Sequence, residues 1–230
     1  MGAVLVLRTV AASMTSPDES ADGVSANSFY WPQSGRVECQ DWDTSPRCGH
    51  GLHGLRWGVG TASLLKHDIA TRRWQVVECE DTDVVDITDG SDIKCKFRAG
   101  SVVYCGDRDG AIALVQASSP TPDLCVCGTA KAGYAGAATA GAYGTATAGA
   151  YGTAKAGAYG AATAGYAGTA KAGARGTATA GYDGILQIRW WDGNRYRIAT
   201  FYVGEDGIEP DVAYRVDDDG KPIKATEAEP

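Results

Sequence analysis

The chain has 230 residues, a formal net charge of −7 and 44% hydrophobic residues, enough for one globular domain and a further structural segment. Its acidic balance argues against nucleic acid as a partner, and no apolar run approaches the about 18 residues of a membrane-crossing helix.

In chain order, the opening MGAVLVLRTV has no basic residue before an apolar run that is itself short for a signal peptide, and Val4–Val10 reads as a strand. Residues 11–48 read as a loop-rich excursion punctuated by Pro17, Gly23, Pro32, Gly35 and Pro46 and pinned down by Phe29, Tyr30, Trp31 and Trp42. Strands are expected at WQVVEC (74–79), Asp83–Ile87, Ile93–Phe97 and Ser101–Cys105. Asp107 or Asp109 suits the N-cap of a short helix running to about Gln116, and Pro120 stops it. Residues 1–120 are therefore expected to form a globular α+β domain, with 121–127 as a linker. Seven cysteines cannot all pair within one chain, and Cys79, Cys95 and Cys105 sit in strand-like apolar contexts as small core residues; a reducing, cytoplasmic location fits them.

Residues 128–183 are seven octads without a slip: GTAKAGYA, GAATAGAY, GTATAGAY, GTAKAGAY, GAATAGYA, GTAKAGAR and GTATAGYD. A strict short period marks a stacked array whose units cannot bury a face alone. Disorder is the alternative that composition allows, but Thr and Tyr recur in phase and both favour strands. Two glycines per octad disfavour a helix by about 1 kcal/mol each. With the strand at octad positions two to five, lysines 131, 155 and 171 must face out, so the alanines at positions three and five face in. Two octads make the simplest closed coil, 16 residues giving two parallel sheets back to back, and seven octads make three and a half coils. Glycines at positions six and one bracket each corner, where positive φ or close backbone approach is expected. The expected fold is mostly β: a short β-solenoid between the N-terminal domain and a β-rich cap over 184–230. In that cap, strands at 185–191 and 195–203 flank the turn Asp192-Gly193-Asn194, and a third lies near 212–216. Trp190, Trp191, Tyr196, Phe201 and Tyr202 are placed to cover the alanine core.

The octads, with their Ala-Gly-Tyr corners and pairs such as Thr145/Thr147 and Thr177/Thr179, resemble the octapeptide arrays of bacterial ice-nucleation proteins. Gly stands where that family usually has Ser after the Tyr corner, and lysines interrupt the outward rows. CGHGLHGLRWGVG, WQVVECEDTDVVDI and VVYCGDRDGAIALV, with the octads and the closing Trp-Asp-Gly and Gly-Glu-Asp-Gly steps, also resemble an uncharacterised family from actinobacteria and their phages. That resemblance implies the architecture and no activity. The Gly-Leu-His step followed by strands is similar to part of an ADP-ribosyltransferase-type fold, without the catalytic Glu set.

Candidate chemistry is sparse. Cys48-Gly-His50-Gly-Leu-His53 offers thiolate and imidazole, but its spacing is not that of a zinc knuckle; the reading is a Gly-rich turn organised by the histidines, with no metal and no cofactor. Asp107-Arg108-Asp109 and Glu205-Asp206 read as caps and turns. Phosphate loops, dinucleotide fingerprints and nucleophile elbows do not occur. The array carries Lys131, Lys155, Lys171 and Arg175 against Asp183, so it is net +3 and the remainder −10. The leading expectation is a non-enzymatic binding or assembly protein, homodimeric through a ladder of Tyr134, Tyr151 and Tyr166, with Tyr143 and Tyr159 on the opposite edge; an unknown protein partner is the other possibility, and neither membrane nor nucleic acid is expected. The alternatives are an enzyme around His50 and His53, and ice or carbohydrate-surface binding by a face of Thr145, Thr147, Thr163, Thr177 and Thr179. Because Lys155 and Lys171 fall next to one another in the stack, ice activity is expected to be weak or absent.

Overall fold

The structure, a computed structural model, describes residues 2–16, 29–66, 71–87 and 92–226; the expected loop punctuation at Pro17 and Gly23 lies outside them. The chain divides into two compact units, Met1–Pro122 and Asp123–Pro230.

The first unit is one seven-stranded antiparallel sheet followed by a helix. Its strands are β1 (Ala3–Val10), β2 (Gly35–Glu38), β3 (Leu52–Arg56), β4 (Arg73–Glu80), β5 (Val84–Ile87), β6 (Lys94–Phe97) and β7 (Ala99–Gly106), and the helix is α1 (Arg108–Ser118). The spatial order β2-β7-β4-β1-β3-β6-β5 puts β1 in the middle, which is why both faces of its aliphatic run are buried. Asp107 caps α1, its side chain accepting from the Gly110 amide at 2.9 Å. Two strands fall where the sequence reads as loop and turn. β2 carries a single buried apolar residue, Val37, too little to show a period. β3 buries Leu52 and Leu55, which fall on opposite faces of the sheet, and its Gly54 is a close-approach glycine: a Cβ there would lie 2.9 Å from the Leu7 carbonyl of β1. The glycine that lets β3 reach β1 also hides it as a strand.

The second unit is a β-solenoid. Strands β8 (Thr129–Ala132), β9 (Ala137–Ala140), β10 (Thr145–Ala148), β11 (Thr153–Ala156), β12 (Ala161–Ala164), β13 (Thr169–Ala172) and β14 (Thr177–Ala180) each take octad positions two to five. Odd octads build one parallel sheet, β8-β10-β12-β14, and even octads the other, with pairings 16 residues apart such as Thr145↔Ala161 and Thr153↔Thr169. Every alanine at positions three and five is buried except the half-buried Ala132. β15 (Ile185–Trp191) begins as an eighth solenoid strand: Ile185 pairs with Thr169 and Ile188 with Ala172, and Leu186 and Ile188 stand at the inward positions. The array thus makes four coils, half a coil more than the octads alone give. The corner geometry also begins before the first octad, since Cys127 has the left-handed φ and donates its amide to Ala142 O, as later corners do one coil up.

Glycine serves the corners by close approach and not by positive φ. A Cβ on Gly149 would sit 2.8 Å from the Gly133 carbonyl carbon of the coil below, and one on Gly152 would sit 2.8 Å from Gly136 O. The left-handed residue is octad position eight, which is never glycine here: Ala135, Tyr143, Tyr151, Tyr159, Ala167, Arg175 and Asp183 all have φ between 49° and 58°. Each such position costs roughly 1–2 kcal/mol for a residue with a Cβ. An inter-coil hydrogen bond offsets it, for example Tyr143 N to Ala158 O and Ala167 N to Tyr182 O, both 2.8 Å.

The cap closes one end of the stack. β16 (Tyr196–Tyr202) pairs antiparallel with β15 around a turn in which Asp192 accepts from the amides of Asn194 and Arg195. β17 (Tyr214–Val216) pairs antiparallel with β14, and β18 (Pro222–Lys224), which the sequence does not announce, pairs with β17. The seal differs from expectation: Leu186, Ile188, Val203, Ile208 and Tyr214 close the alanine core, joined in part by Phe201, while Trp191, Tyr196 and Tyr202 stay about half exposed. Outward alternation on β15 for Trp191, and on β16 for Tyr196 and Tyr202, puts those aromatics away from the core.

Candidate functional site

The solenoid presents two edges and two faces. On one edge the corners of odd octads stack Tyr134, Tyr151, Tyr166 and Tyr182; ring centroids are 5.5 Å apart for both Tyr134–Tyr151 and Tyr151–Tyr166, each edge-to-face. On the other edge Tyr143 and Tyr159 lie 4.8 Å apart with their planes within 1° of parallel, and Arg175 continues the row. Octad position explains the difference. Tyr143 and Tyr159 both occupy position eight and are related by one coil, so they translate onto each other. Tyr134 and Tyr166 occupy position seven and Tyr151 position eight, so successive rings alternate in orientation. Both arrangements are favourable for aromatic pairs. The odd edge stays open to solvent: Tyr134, Tyr151, Tyr166 and Tyr182 are 75, 54, 46 and 66% exposed. The Tyr166 hydroxyl is held up in pKa by its hydrogen bond to Asp183.

The two faces differ in charge. The odd sheet aligns Thr129, Thr145, Ala161 and Thr177 in one row and Lys131, Thr147, Thr163 and Thr179 in the next. Its three upper strands are therefore free of charge on their outward side. The even sheet sets Lys155 directly beside Lys171, one strand spacing of about 4.8 Å apart. The register expected from the octads is the register found.

The histidines of the first unit separate. His50 sits in a turn with φ 48°, its Nδ1 3.4 Å from an Asp41 carboxylate oxygen. His53 is not in that turn but within β3, half-buried, with Nε2 enclosed and unpartnered. Burial, aided by Lys94, Arg8 and Lys96, pushes His53 down to about 4, so it is neutral at pH 7. Among the described residues no three His, Cys, Asp or Glu side chains converge as metal ligands, and no helix is long and apolar enough to cross a membrane. Cys79 and Cys95 are buried, their thiols pushed up to about 12 by desolvation. Cys105 is only half-buried beside that core.

Sequence reasoning missed Arg8. It is a charged residue inside the apolar run of β1, and that misfit was its one signal.

Among known proteins, the chain is 36% identical over 118 residues to an ice nucleation protein of Pseudomonas syringae, covering 51% of this chain and 9% of that protein. It is 30% identical over 122 residues to one from Pseudomonas fluorescens, covering 53% and 9%, and 35% identical over 117 residues to one from Xanthomonas campestris pv. translucens, covering 51% and 7%. The chain thus spans less than a tenth of the length of these relatives. No protein-family model matches it, and no solved structure does. The repeat is similar to ice-nucleation protein arrays, and such an array fits a non-enzymatic scaffold.

Proposed function

We propose that the protein is an assembly scaffold that pairs with a second copy of itself along the edge of Tyr134, Tyr151, Tyr166 and Tyr182. The observation that carries this reading is the row itself: four exposed amphipathic rings along one edge, the first three in edge-to-face contact with one another. Tyrosine is favoured at interfaces because a large apolar body ends in a polar tip. A two-fold pairing of identical edges is the commonest form of assembly, and the alanine core gains little apolar burial of its own. Light scattering at high micromolar concentration is expected to give twice the chain mass, and Tyr151→Ser with Tyr166→Ser to return a monomer. A wild-type monomer ends the idea.

A second reading is favoured by one face. The odd sheet displays Thr145/Thr147 and Thr177/Thr179 in register with Thr163 between them, uncharged above Lys131. With relatives named as ice nucleation proteins, that face is the candidate surface for ordered water. Three strands of it are few, and the other face carries the lysine pair, so any effect on freezing is expected to be weak. Droplet freezing that shifts with the protein and reverts with Thr147→Lys and Thr163→Lys supports this reading; no shift removes it.

A further inference from the structure

The first unit holds a cavity of about 790 Å³ beside β1 and β3, half open to solvent and lined among others by Arg8, His53, Lys94, Asp41, Phe29 and Tyr30. Its size falls within the roughly 300–1,000 Å³ of small-molecule sites. Arg8 is the unusual member. Its side chain comes from the central strand and is only 6% exposed, yet no carboxylate among the described residues pairs with it. Its guanidinium lies 3.3 Å from the centroid of the Trp31 ring, Nη1 donates to His53 O at 3.0 Å, and Nη2 reaches Thr9 O at 3.4 Å. Nε is buried without a partner. Of five N–H donors, two are used, both on neutral carbonyls. A buried cation without a counter-charge is expensive to maintain, and burial drags Arg8 down to about 9.

His53, on the neighbouring strand, repeats the pattern with its enclosed, unpartnered Nε2. The charges that act on it are Arg8 from β1 and Lys94 and Lys96 from β6, with Asp41 from the loop opposing them. In a chain of net −7, three cations surround one neutral imidazole. An anion in the cavity would supply Arg8 with the counter-charge that no described residue gives it. Arginine's planar fork suits phosphate oxygens in particular. A bare phosphate would leave most of the cavity empty, and Phe29 and Tyr30 offer apolar surface for a planar ring.

We propose that this cavity binds an organic phosphate of nucleotide size, its phosphate held between Arg8 and His53 and its ring against Phe29 and Tyr30. The site is independent of the array and of how copies of the array associate. Bound phosphate favours protonated His53, so binding takes up a proton and tightens as pH falls below neutrality.

Calorimetric titration of the full chain with ADP, adenosine and inorganic phosphate tests this. ADP is expected to bind at least about tenfold more tightly than either of the others, a difference of ~1.4 kcal/mol, and its affinity to rise from about pH 7 to about pH 5.5 as an imidazole titrates. Arg8→Met is expected to abolish ADP binding with the hydrogen-exchange protection of β1–β7 kept or raised, because no ion pair with a described residue is lost. His53→Gln is expected to weaken ADP binding and flatten its pH dependence. ADP binding no tighter than adenosine or inorganic phosphate, or unchanged in Arg8→Met, overturns the proposal. If Arg8→Met does not fold, His53→Gln decides: ADP affinity and pH slope equal to wild type overturn it.

Discussion

In β1, Val6 and Leu7 are fully buried because large side chains pack on them from both faces of a seven-stranded sheet; in β10 and β11, Ala146 and Ala154 are just as buried with a single methyl each. The first unit fills its interior with side chains, among them Phe97, Trp31 and Val77. The solenoid fills its interior by bringing backbone to backbone, with glycines at the corners where even a Cβ would touch the coil below. The first kind of core fails when atoms are removed and the second when atoms are added. Only at its capped end, where Leu186, Ile188 and Tyr214 enter, does the solenoid core resemble the other.

That contrast can be broken most forcefully at the cores. Phe97→Ala in the first unit is expected to cost about 3–5 kcal/mol by leaving a cavity. Ala148→Leu in the solenoid is expected to cost about 1–3 kcal/mol or more by overpacking a tube two methyls thick. Hydrogen exchange followed peptide by peptide separates the two, since a single melting transition is not defined for a chain of two units. An Ala148→Leu protein with unchanged protection across β8–β14 would refute the inward packing as the source of stability. A smaller effect of opposite sign is expected at the corners. Ala167→Gly removes a left-handed alanine without deleting a ring, and relief of about 1–2 kcal/mol less the entropy of glycine leaves a gain of up to about 1 kcal/mol. A loss of stability would mean that the corner methyl packs usefully. A further effect is in pH. His53 has its pKa lowered from 6.5 to about 4 in the folded chain. Between those values the unfolded chain holds a proton that the folded one lacks, so stability of the first unit falls as pH drops from about 6.5 to about 4 and is flat above. His53→Gln should flatten this slope, whereas exchange in the octads should show no such dependence, as they contain no histidine.

The sequence was most legible where its physics is most repetitive. Lysine at octad position four cannot enter a narrow tube, and that single exclusion sets which alanines face in, which threonines align and which tyrosines stack. At the corner the sequence leaves glycine a choice of positive φ or close approach, and the second holds: glycine answers crowding, and the left-handed turn falls on a residue next to it such as Tyr143 or Ala167. The strand at 185–191 was legible, but its place in the solenoid was hidden by composition: Gly184 keeps the octad register, whereas Ile, Leu and Ile replace the small residues that define the repeat. In the first unit β3 was obscured by Gly54, and Arg8 was read as part of a strand without asking what a buried guanidinium does there. Neither feature has a period, and pairing across 45 positions between Arg8 and His53 leaves no local trace.

The alternation of octads between two sheets also restricts how such a gene segment can lengthen. Duplicating 16 residues inserts one full coil, keeps each row on its own sheet and leaves the cap in register. Duplicating eight would carry every later octad to the opposite sheet. An insertion just after β10 would then set Lys155 and Lys171 on the sheet of Thr145 and Thr147, and splice the odd tyrosine edge onto the even one. Array length is thereby quantised in pairs of octads, and lineages carrying this architecture should differ by whole coils even though the apparent repeat is half as long.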